Sequence, residues 1–360
     1  MSYEVDVRAV GEKGKSGDAI AIRYGDFSDT ARTRVVVIDG GFKDSGEGLV
    51  ELVRDVYGTD RVDLVISTHP DQDHISGLSV VLEELEVGEL WMHKPWDHSK
   101  SVANYISKGI AGALSEKQQL SFTAARDLYQ LAVEKGVHVQ EPFTGLSTAD
   151  GLIRVLGPDR EYYEELFEEM ADAAKAAERS VYESVVQTLA KALKWFKETW
   201  DKEGLEEPSQ NDVSPRNNSS AIILAQLDDT VFLFTADAGV AGLERAVTPF
   251  GPQLGGSLKY VQVPHHGSKR NVGPGILDFL LGAALPEDRK GEKTGIVAFI
   301  SAAKSGAPKH PSPRVTNALN RRGARVQVTA GGDHCYHSLD APSRGWGPIT
   351  PLPFVEDYED

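Results

Sequence analysis

The sequence of 360 residues predicts an α/β fold in which two stacked β-sheets are covered by helices. Two stretches, residues 1–96 and 215–340, are rich in short apolar strands, and each also contains helix. The segment between them, residues 97–214, has the longer apolar periodicity that is typical of helices. We therefore expect a single domain over residues 1–360, with its core in the two outer stretches and a mainly helical insertion at 97–214.

The N-terminal stretch contains strands that lead into a polar cluster. Residues 1–10 alternate apolar and polar side chains, as in a strand, and lack the basic head and apolar run of a signal peptide. Residues 34–38 and 63–67 are β-branched runs that indicate buried strands. After His74, apolar residues recur every three or four positions, which predicts a helix directly behind the cluster. No apolar run is long enough for a membrane span, so we expect a cytoplasmic protein without membrane contact.

The predicted insertion is acidic and amphipathic. Residues 155–158 are expected to return the chain briefly to a sheet, and residues 159–207 then carry 14 acidic and 7 basic residues. Apolar residues from Val181 to Phe196 form a helical stripe that must be buried against another surface. The core of the same chain, a second copy in a homodimer and a partner protein are the three alternatives. Each would pack against the predicted helices of residues 159–207.

The C-terminal stretch returns to short strands. The expected elements are four strands, a helix and a last strand, at residues 221–227, 230–235, 258–263, 296–301, 315–322 and 324–329.

Composition limits the available chemistry. The chain is 40% hydrophobic and 26% charged, which supports a sizeable core. A single cysteine, Cys335, rules out an internal disulfide and an all-cysteine metal site, so histidines and carboxylates must hold any metal. The net charge of −16 counts against broad, non-specific binding to nucleic acid, because it repels phosphate backbones.

The most informative segment is the polar cluster at the predicted change from strand to helix. Residues 69–74 (HPDQDH) contain four potential metal ligands: His69, Asp71, Asp73 and His74. Crowded imidazoles and carboxylates at the end of a buried strand are unfavourable unless a cation binds them. Nitrogen and carboxylate ligands suit Zn²⁺, Mn²⁺ or Fe²⁺. The alternative is a solvated loop rich in aspartate and histidine.

Two further strands end in candidate ligands. The run before Asp237 is an apolar strand that terminates in a lone carboxylate, and the strand at residues 258–263 is followed by His265 and His266. Alone, Asp237 could cap a helix, and the histidine pair could be a polar loop. Together with residues 69–74 they supply the ligands of a second metal ion, with an aspartate bridging two ions about 3.5–4 Å apart.

These motifs resemble the metallo-β-lactamase superfamily. The order HxDxDH, strand-Asp and strand-HHGS is similar in particular to the branch that contains the metallohydrolase domain of the DNA-uptake protein ComEC and the phosphorylcholine esterases. Residues 217–220 (NNSS) and 310–313 (HPSP) resemble two further elements of that branch. The resemblance covers most of residues 1–95 and 215–335. It implies an αββα four-layer metallo-β-lactamase sandwich that binds two divalent metal ions, zinc or manganese.

The resemblance also implies a set of metal ligands. They are His69, Asp71, Asp73, His74, Asp237 and one of His265 and His266. Within the pair, His265 is favoured because it leaves the strand first. Asp71 replaces the second histidine of the commoner HxHxDH motif, as is usual in this branch. The acidic insertion has no counterpart in the family, so the resemblance supports the fold more strongly than the substrate.

Other residues are expected to act on the substrate. We expect catalytic roles for Asp73, His310 and Lys269, and substrate contacts from Ser268, Asn218 and His93. Lys269 would hold a phosphate oxygen, and His310 would protonate the leaving group or bind phosphate. The structural alternatives are a solvated turn at Lys269 and an aromatic-rich hinge at His93.

We therefore expect a binuclear metal-dependent hydrolase, specifically a phosphodiesterase or nuclease that uses a metal-bridging hydroxide. Its substrate would be a nucleotide or a nucleic acid. Two alternatives stay open: hydrolysis of a carbon ester, lactone or thioester at the same centre, and a non-catalytic interaction module with bound metal.

Overall fold

The computed structural model of the protein describes most of the chain. The described residues are 1–11, 15–109, 114–168, 170, 195–209, 212–251, 254, 257–305 and 310–359. Two β-sheets account for the centre of the fold.

The first sheet has seven strands, in the spatial order β14-β1-β2-β3-β4-β5-β6. These strands are β1 Ser2–Val7, β2 Ala19–Gly25, β3 Thr33–Gly40, β4 Arg61–Ser67, β5 Glu86–Met92, β6 His138–Gln140 and β14 His334–His337. Neighbours from β14 to β3 are antiparallel, and neighbours from β3 to β6 are parallel. The ends of the parallel strands therefore lie along one edge of the sheet.

The second sheet has six strands, in the order β13-β12-β11-β10-β9-β7. They are β7 Ile153–Gly157, β9 Ile222–Leu227, β10 Thr230–Phe234, β11 Leu258–Gln262, β12 Val297–Ile300 and β13 Arg325–Val328. Strands β10 to β13 are parallel, whereas β9 runs antiparallel to β7 and β10. A separate pair, β8 Trp195–Lys197 and β15 Asp357–Glu359, is antiparallel.

Helices cover both outer faces. They are α1 Lys43–Glu51, α2 Gln72–Glu84, α3 Pro95–His98, α4 Lys100–Lys108, α5 Glu116–Glu134, α6 at 160–168, α7 Pro215–Asn218, α8 Val240–Val247, α9 Pro274–Leu281 and α10 Pro313–Arg321. None of the helices within the described ranges has both the length and the apolar character that crossing a membrane requires.

Three apolar layers hold the sandwich together. Between the sheets lie inward-facing side chains of both, among them Tyr3, Ile22, Val36, Trp91, Ile223, Phe232, Tyr260 and Phe299. Helices α1, α2 and α5 cover the outer face of the first sheet, and α8, α9 and α10 cover that of the second. The order helix, sheet, sheet, helix confirms the predicted αββα fold.

Part of the predicted insertion belongs to this sandwich. Helix α5 packs on α2, β6 is an edge strand of the first sheet and β7 is an edge strand of the second. Some residues of the range 97–214 therefore belong to the core, and the insertion itself is shorter than predicted. Strand β6 has only three residues, too few to show the alternating pattern from which a strand can be predicted.

The acidic segment differs at one point from the expected helical stripe of Val181 to Phe196. Its described part contains helix at 160–168 but a strand at Trp195–Lys197, in which Phe196 pairs with Tyr358. Phe196 is thus not the end of a helical stripe, because a partner far away in the sequence places it in a strand. The rest of that stripe, residues 181–194, lies outside the described residues, and docking of a second copy or a partner through 159–207 stays a prediction.

A close contact at Gly77 sets the position of helix α2. A Cβ atom added at Gly77 would lie 2.0 Å from the carbonyl oxygen of Gly40, at the end of β3. Only glycine permits this approach of backbone to backbone. The contact anchors α2 one turn after His74, which lies in the first turn of the same helix.

Candidate metal centre

Four histidines and one aspartate lie close together at the ends of three strands and at the start of one helix. His69 follows β4, Asp237 follows β10, and His265 and His266 follow β11, whereas His74 comes from the first turn of α2. All of them except His265 are buried. The structure thus unites residues that the sequence holds in three separate segments.

The carboxylate of Asp237 lies at the centre of four imidazoles. Its Oδ2 atom is 3.6 Å from Nε2 of His69 and 3.6 Å from Nε2 of His265. Its Oδ1 atom is 3.4 Å from Nε2 of His74 and 3.9 Å from Nε2 of His266. Each oxygen of the carboxylate therefore faces its own pair of histidines.

In both His265 and His266 the second ring nitrogen, Nδ1, lies close to an oxygen atom. Nδ1 of His266 is 2.8 Å from the carbonyl oxygen of Ser301, and Nδ1 of His265 is 3.0 Å from Oδ1 of Asn271. The carbonyl oxygen can only accept, so it fixes the proton of a neutral His266 on Nδ1 and leaves the lone pair of Nε2 towards Asp237, whereas Nδ1 of His265 also lies 3.3 Å from the amide nitrogen of Asn217. Both histidines adopt left-handed backbone angles, with φ of 46° and 58°. Such strain costs on the order of 1–3 kcal/mol per residue and is typical of functional sites.

Asp39 orients the two histidines of the first segment. Its carboxylate accepts hydrogen bonds from the backbone nitrogen and the hydroxyl of Thr68, at 2.9 and 2.6 Å, and lies 2.8 Å from Nδ1 of His74. The hydroxyl of Thr68 in turn lies 3.1 Å from Nδ1 of His69. Both rings therefore also present Nε2 towards Asp237. The sequence analysis missed this role, although Asp39 ends an apolar strand just as Asp237 does.

Several buried polar atoms of the centre lack a hydrogen-bond partner within the described residues. Among them are Nε2 of His69, His74 and His266, Oδ1 of Asp237 and both carboxylate oxygens of Asp18. Each buried atom of this kind costs about 1–3 kcal/mol when it is left unsatisfied. Divalent cations would satisfy lone pairs that converge in this way, so the donor set fits the metal ions that the sequence predicts. Potential ligand atoms of Asp73, His74 and His266 also lie within 4.8 Å of one another.

The electrostatics of the centre match an ionised Asp237. Burial opposes ionisation, but the charges of His265 and His74 hold the pKa of Asp237 well below its ordinary range. Burial also opposes protonation of His74, and here Asp237 and Asp39 outweigh it and raise the pKa of His74 well above its ordinary value. Burial lowers the pKa of His266. The carboxylates thus favour positive charge beside Asp237, either as a proton on His74 or as a cation, and a bound cation would displace that proton from Nε2.

Asp18 is a further acid at the centre that the sequence analysis missed. It lies in the connection between β1 and β2, is buried, and has one oxygen 3.6 Å from Nδ1 of His74. Burial raises the pKa of Asp18 to about 7. A Cβ atom on the preceding Gly17 would lie 2.2 Å from the carbonyl oxygen of Asp73, so this connection packs directly on residues 69–74. No spacing motif surrounds Asp18 that could have indicated it.

Asp71 does not join the side chains that face Asp237. Its carboxylate contacts Nε and Nη2 of Arg216, the latter at 3.1 Å, and Nζ of Lys117 at 3.2 Å. The hydroxyl of Ser121 donates to the same carboxylate at 3.3 Å. The expected metal ligand is therefore engaged by two cations and a hydroxyl.

In the segment 217–220, Asn217 contacts Asp237, whereas Asn218 is the residue that the sequence predicts at the site. The side-chain amide of Asn217 donates to Oδ2 of Asp237 at 3.3 Å. Oδ1 of Asn218 instead accepts a hydrogen bond from the backbone nitrogen of Gly239 at 3.0 Å. Asn218 thus supports the loop that carries Asp237, and a substrate contact from it stays a prediction.

Three further predicted residues surround the histidine pair. The ring of His310 lies 6.1 Å from that of His265 and 6.5 Å from that of His266, centroid to centroid. Burial lowers the pKa of His310 to about 4, so at neutral pH this ring is uncharged. Ser268 is buried in the turn, where its hydroxyl accepts from the backbone nitrogen of Arg270 at 3.3 Å, and Lys269 is exposed.

His93 lies in an aromatic cluster. Its ring stacks on Tyr163 at 4.3 Å and packs against Phe143 at 4.8 Å. The neighbouring His98 bridges Glu141 and Glu164. No contact joins His93 to Asp237 within the described residues, so the expected substrate contact stays a prediction.

The family of the chain is evident from comparison with known proteins. Residues 30–273, about two thirds of the chain, match the family model of the metallo-beta-lactamase superfamily. Similar solved structures include a metallo-beta-lactamase of Hirschia baltica, 14% identical with a TM-score of 0.33, over 77% of this chain and 90% of that one. A proposed metallo-beta-lactamase of Thermotoga maritima is 14% identical with a TM-score of 0.32, over 66% and 79%. Both are too distant to support an argument about activity. No curated protein matches the sequence.

Proposed function

Because the chain belongs to the metallo-β-lactamase superfamily, whose members are generally metal-dependent hydrolases, we propose that it hydrolyses phosphodiesters at a centre of two divalent metal ions. The observation that carries the proposal is the position of Asp237 between two pairs of histidines. A carboxylate with one oxygen towards each pair is suited to bridge two ions.

The ligands divide into two groups. His69 and His265 would hold one ion with Oδ2 of Asp237, and His74 and His266 would hold the other with Oδ1. Asp73 would join the second group, since its carboxylate clusters with His74 and His266. Imidazole and carboxylate ligands without a thiolate suit zinc or manganese. Both members of the histidine pair would then be ligands, rather than His265 alone.

When bound, the two ions activate water and stabilise the charge that develops on the attacked group. The chain's own residues orient the imidazoles through Nδ1 and exclude water from most of the centre. The side chain of His265 is 34% exposed, whereas those of His69 and His74 are fully buried. The substrate would therefore approach beside His265. His310 lies on this side and, as a neutral ring, would hydrogen-bond the substrate or its leaving group.

Cations near the centre favour a phosphodiester over a carbon ester. Arg216 lies one residue before Asn217, which contacts Asp237, while Lys269 and Arg270 directly follow the histidine pair and Ser268. A carbon ester carries no negative charge for such groups to bind. In a chain with a net charge of −16, these cations provide a local site for an anionic substrate.

A substrate panel tests the proposal. Metal-loaded protein would be assayed with bis-p-nitrophenyl phosphate, a short single-stranded DNA and a cyclic nucleotide, and in parallel with p-nitrophenyl acetate and a lactone. We expect turnover of at least one phosphodiester, abolished in Asp73→Ala. Turnover of only the carbon esters would replace the proposal with its closest alternative. Metal binding without any turnover would favour an interaction module.

A further inference from the structure

Both oxygens of Asp71, the first carboxylate of the HxDxDH motif, contact other side chains. Asp71 is 2% exposed and makes four contacts, two to the guanidinium of Arg216, one to Lys117 and one to Ser121. An ionised carboxylate offers about four lone-pair sites. Two of these contacts are hydrogen bonds, from Nη2 of Arg216 and from Ser121, and two are ion-pair contacts, so each oxygen of Asp71 is already engaged by a cation or a hydroxyl.

The cluster of Asp71, Arg216 and Lys117 carries a net positive charge. Nη2 of Arg216 lies 3.1 Å and Nζ of Lys117 lies 3.2 Å from Oδ2 of Asp71. One carboxylate is therefore balanced against two cations. The excess of one positive charge stands out in a chain whose net charge is −16.

The cluster lies next to the candidate metal centre and extends towards solvent. Arg216 directly precedes Asn217, whose amide donates to Asp237 at 3.3 Å. Asp71 engages the Nε and Nη2 side of the guanidinium, and Nη1 makes no hydrogen bond to the described residues. The side chain of Lys117, in the first turn of α5, is 72% exposed. The cluster thus combines Nη1 of a buried guanidinium, next in sequence to Asn217, with an exposed ammonium group.

We propose that Asp71 is a positioning residue rather than a metal ligand, and that Arg216 and Lys117 form a subsite for a phosphate group of the substrate. This inference rests on the proposed function and names the residues that recognise its substrate. A guanidinium held by a buried carboxylate presents its remaining N–H groups in a fixed direction, which suits phosphate oxygens. Lys117 adds an exposed positive charge that would attract the anionic substrate from solvent.

Metal content tests the role of Asp71. Asp71→Asn preserves the size of the side chain and would be compared with Asp73→Asn, the matched change two residues later. We expect Asp71→Asn to keep the metal content of the wild type and Asp73→Asn to lose about one equivalent, measured by plasma mass spectrometry. Loss of metal from Asp71→Asn would overturn the assignment.

Phosphate binding tests the subsite. In Lys117→Ala, an exposed change that leaves the core intact, we expect KM for bis-p-nitrophenyl phosphate and the inhibition constant of inorganic phosphate to rise about 3- to 10-fold. Arg216→Lys keeps the positive charge but loses the planar guanidinium with its paired N–H donors. Loss of one charged hydrogen bond to phosphate should raise both constants about 10- to 100-fold. The turnover number should change much less than KM. Unchanged constants in both variants would overturn the subsite.

Lys135→Ala is the matched control. Lys135 follows the last turn of α5, about 27 Å along the helix from Lys117 at 1.5 Å per residue. The Lys135→Ala variant should leave KM and the inhibition constant of phosphate unchanged.

The proposed hydrolase function and the phosphate subsite can be tested separately by calorimetry. Binding of inorganic phosphate to the metal-loaded wild type is measured there without any turnover. Phosphate binding that depends on Lys117, without cleavage of any phosphodiester, would contradict the proposed function alone. Cleavage with unchanged constants in the variants would contradict the subsite alone.

Discussion

Oδ1 of Asp237 lies 3.4 Å from Nε2 of His74, and neither atom has a hydrogen-bond partner within the described residues. Both atoms are buried, so bulk solvent does not reach them. The same carboxylate turns its second oxygen towards His69 and His265. This relationship makes Asp237 the residue on which the account of a two-metal centre depends.

The division of the histidine pair gives a first prediction. If His265 and His266 serve different ions, His265→Ala and His266→Ala should each lose about one metal equivalent and keep the other. Metal analysis of the purified variants measures this, with the exposed His138→Ala as control. Loss of metal from one variant only would show that a single histidine of the pair is a ligand.

The support of His74 by Asp39 gives a second prediction. Asp39→Asn keeps an acceptor for the backbone nitrogen of Thr68 but removes the charge beside Nδ1 of His74. Loss of such an outer partner typically weakens metal binding about 10- to 100-fold. Competition with a chelator measures the affinity. Asp60→Asn, which disrupts an exposed ion pair with Arg54, should leave it unchanged.

The contact at Gly77 predicts a loss of stability. In Gly77→Ala the new methyl group would meet the backbone of Gly40 and force α2 away from β3. Such overpacking costs typically about 1–3 kcal/mol, which urea denaturation would measure as a lower free energy of unfolding. At Gly332 a Cβ atom would meet its nearest neighbour at an ordinary 3.6 Å, so Gly332→Ala should be tolerated. Equal stability of the two variants would contradict the close packing.

His98 predicts a dependence of stability on pH. The hydrogen bond to Glu141 raises the pKa of His98 above 6.5, and the titratable groups around it also include Glu164, Arg160, His93 and Tyr163. Because the pKa is higher in the folded state, the stabilisation is complete below pH 6.5 and is lost as the pH rises through the folded pKa. His98→Gln should lower the free energy of unfolding by roughly 0.5–1 kcal/mol at pH 6 and by less at pH 9. The same loss at both pH values would assign the effect to packing.

Local patterns allowed much of the centre to be predicted from the sequence. Residues 69–74 are close together in the chain, and strands that end in Asp237 or in His265 and His266 can be identified from short apolar runs. In the structure His69, His74, His265 and His266 lie around Asp237. The αββα fold could be predicted in the same way, because short apolar runs indicate strands and apolar residues every three or four positions indicate helices.

The remaining features depend on contacts between distant parts of the chain. Asp71 and Arg216 are 145 residues apart, and no pattern around either residue predicts their pairing. Phe196 pairs with Tyr358 in a strand, although its neighbours in the sequence have helical periodicity. Asp18 comes from a connection without a motif. In each case tertiary contact, rather than local preference, determines the role of the residue.

The central claim is that Asp237 bridges two metal ions, and metal stoichiometry tests it most directly. We expect about two equivalents of a divalent metal in the wild type and one or fewer in Asp237→Asn, because a bridging ligand serves both ions. Asp333→Asn, which removes a carboxylate from an ion pair with Arg8 at the surface, is the control and should retain both. A wild type that binds a single equivalent, or an Asp237→Asn variant that keeps two, would contradict the account.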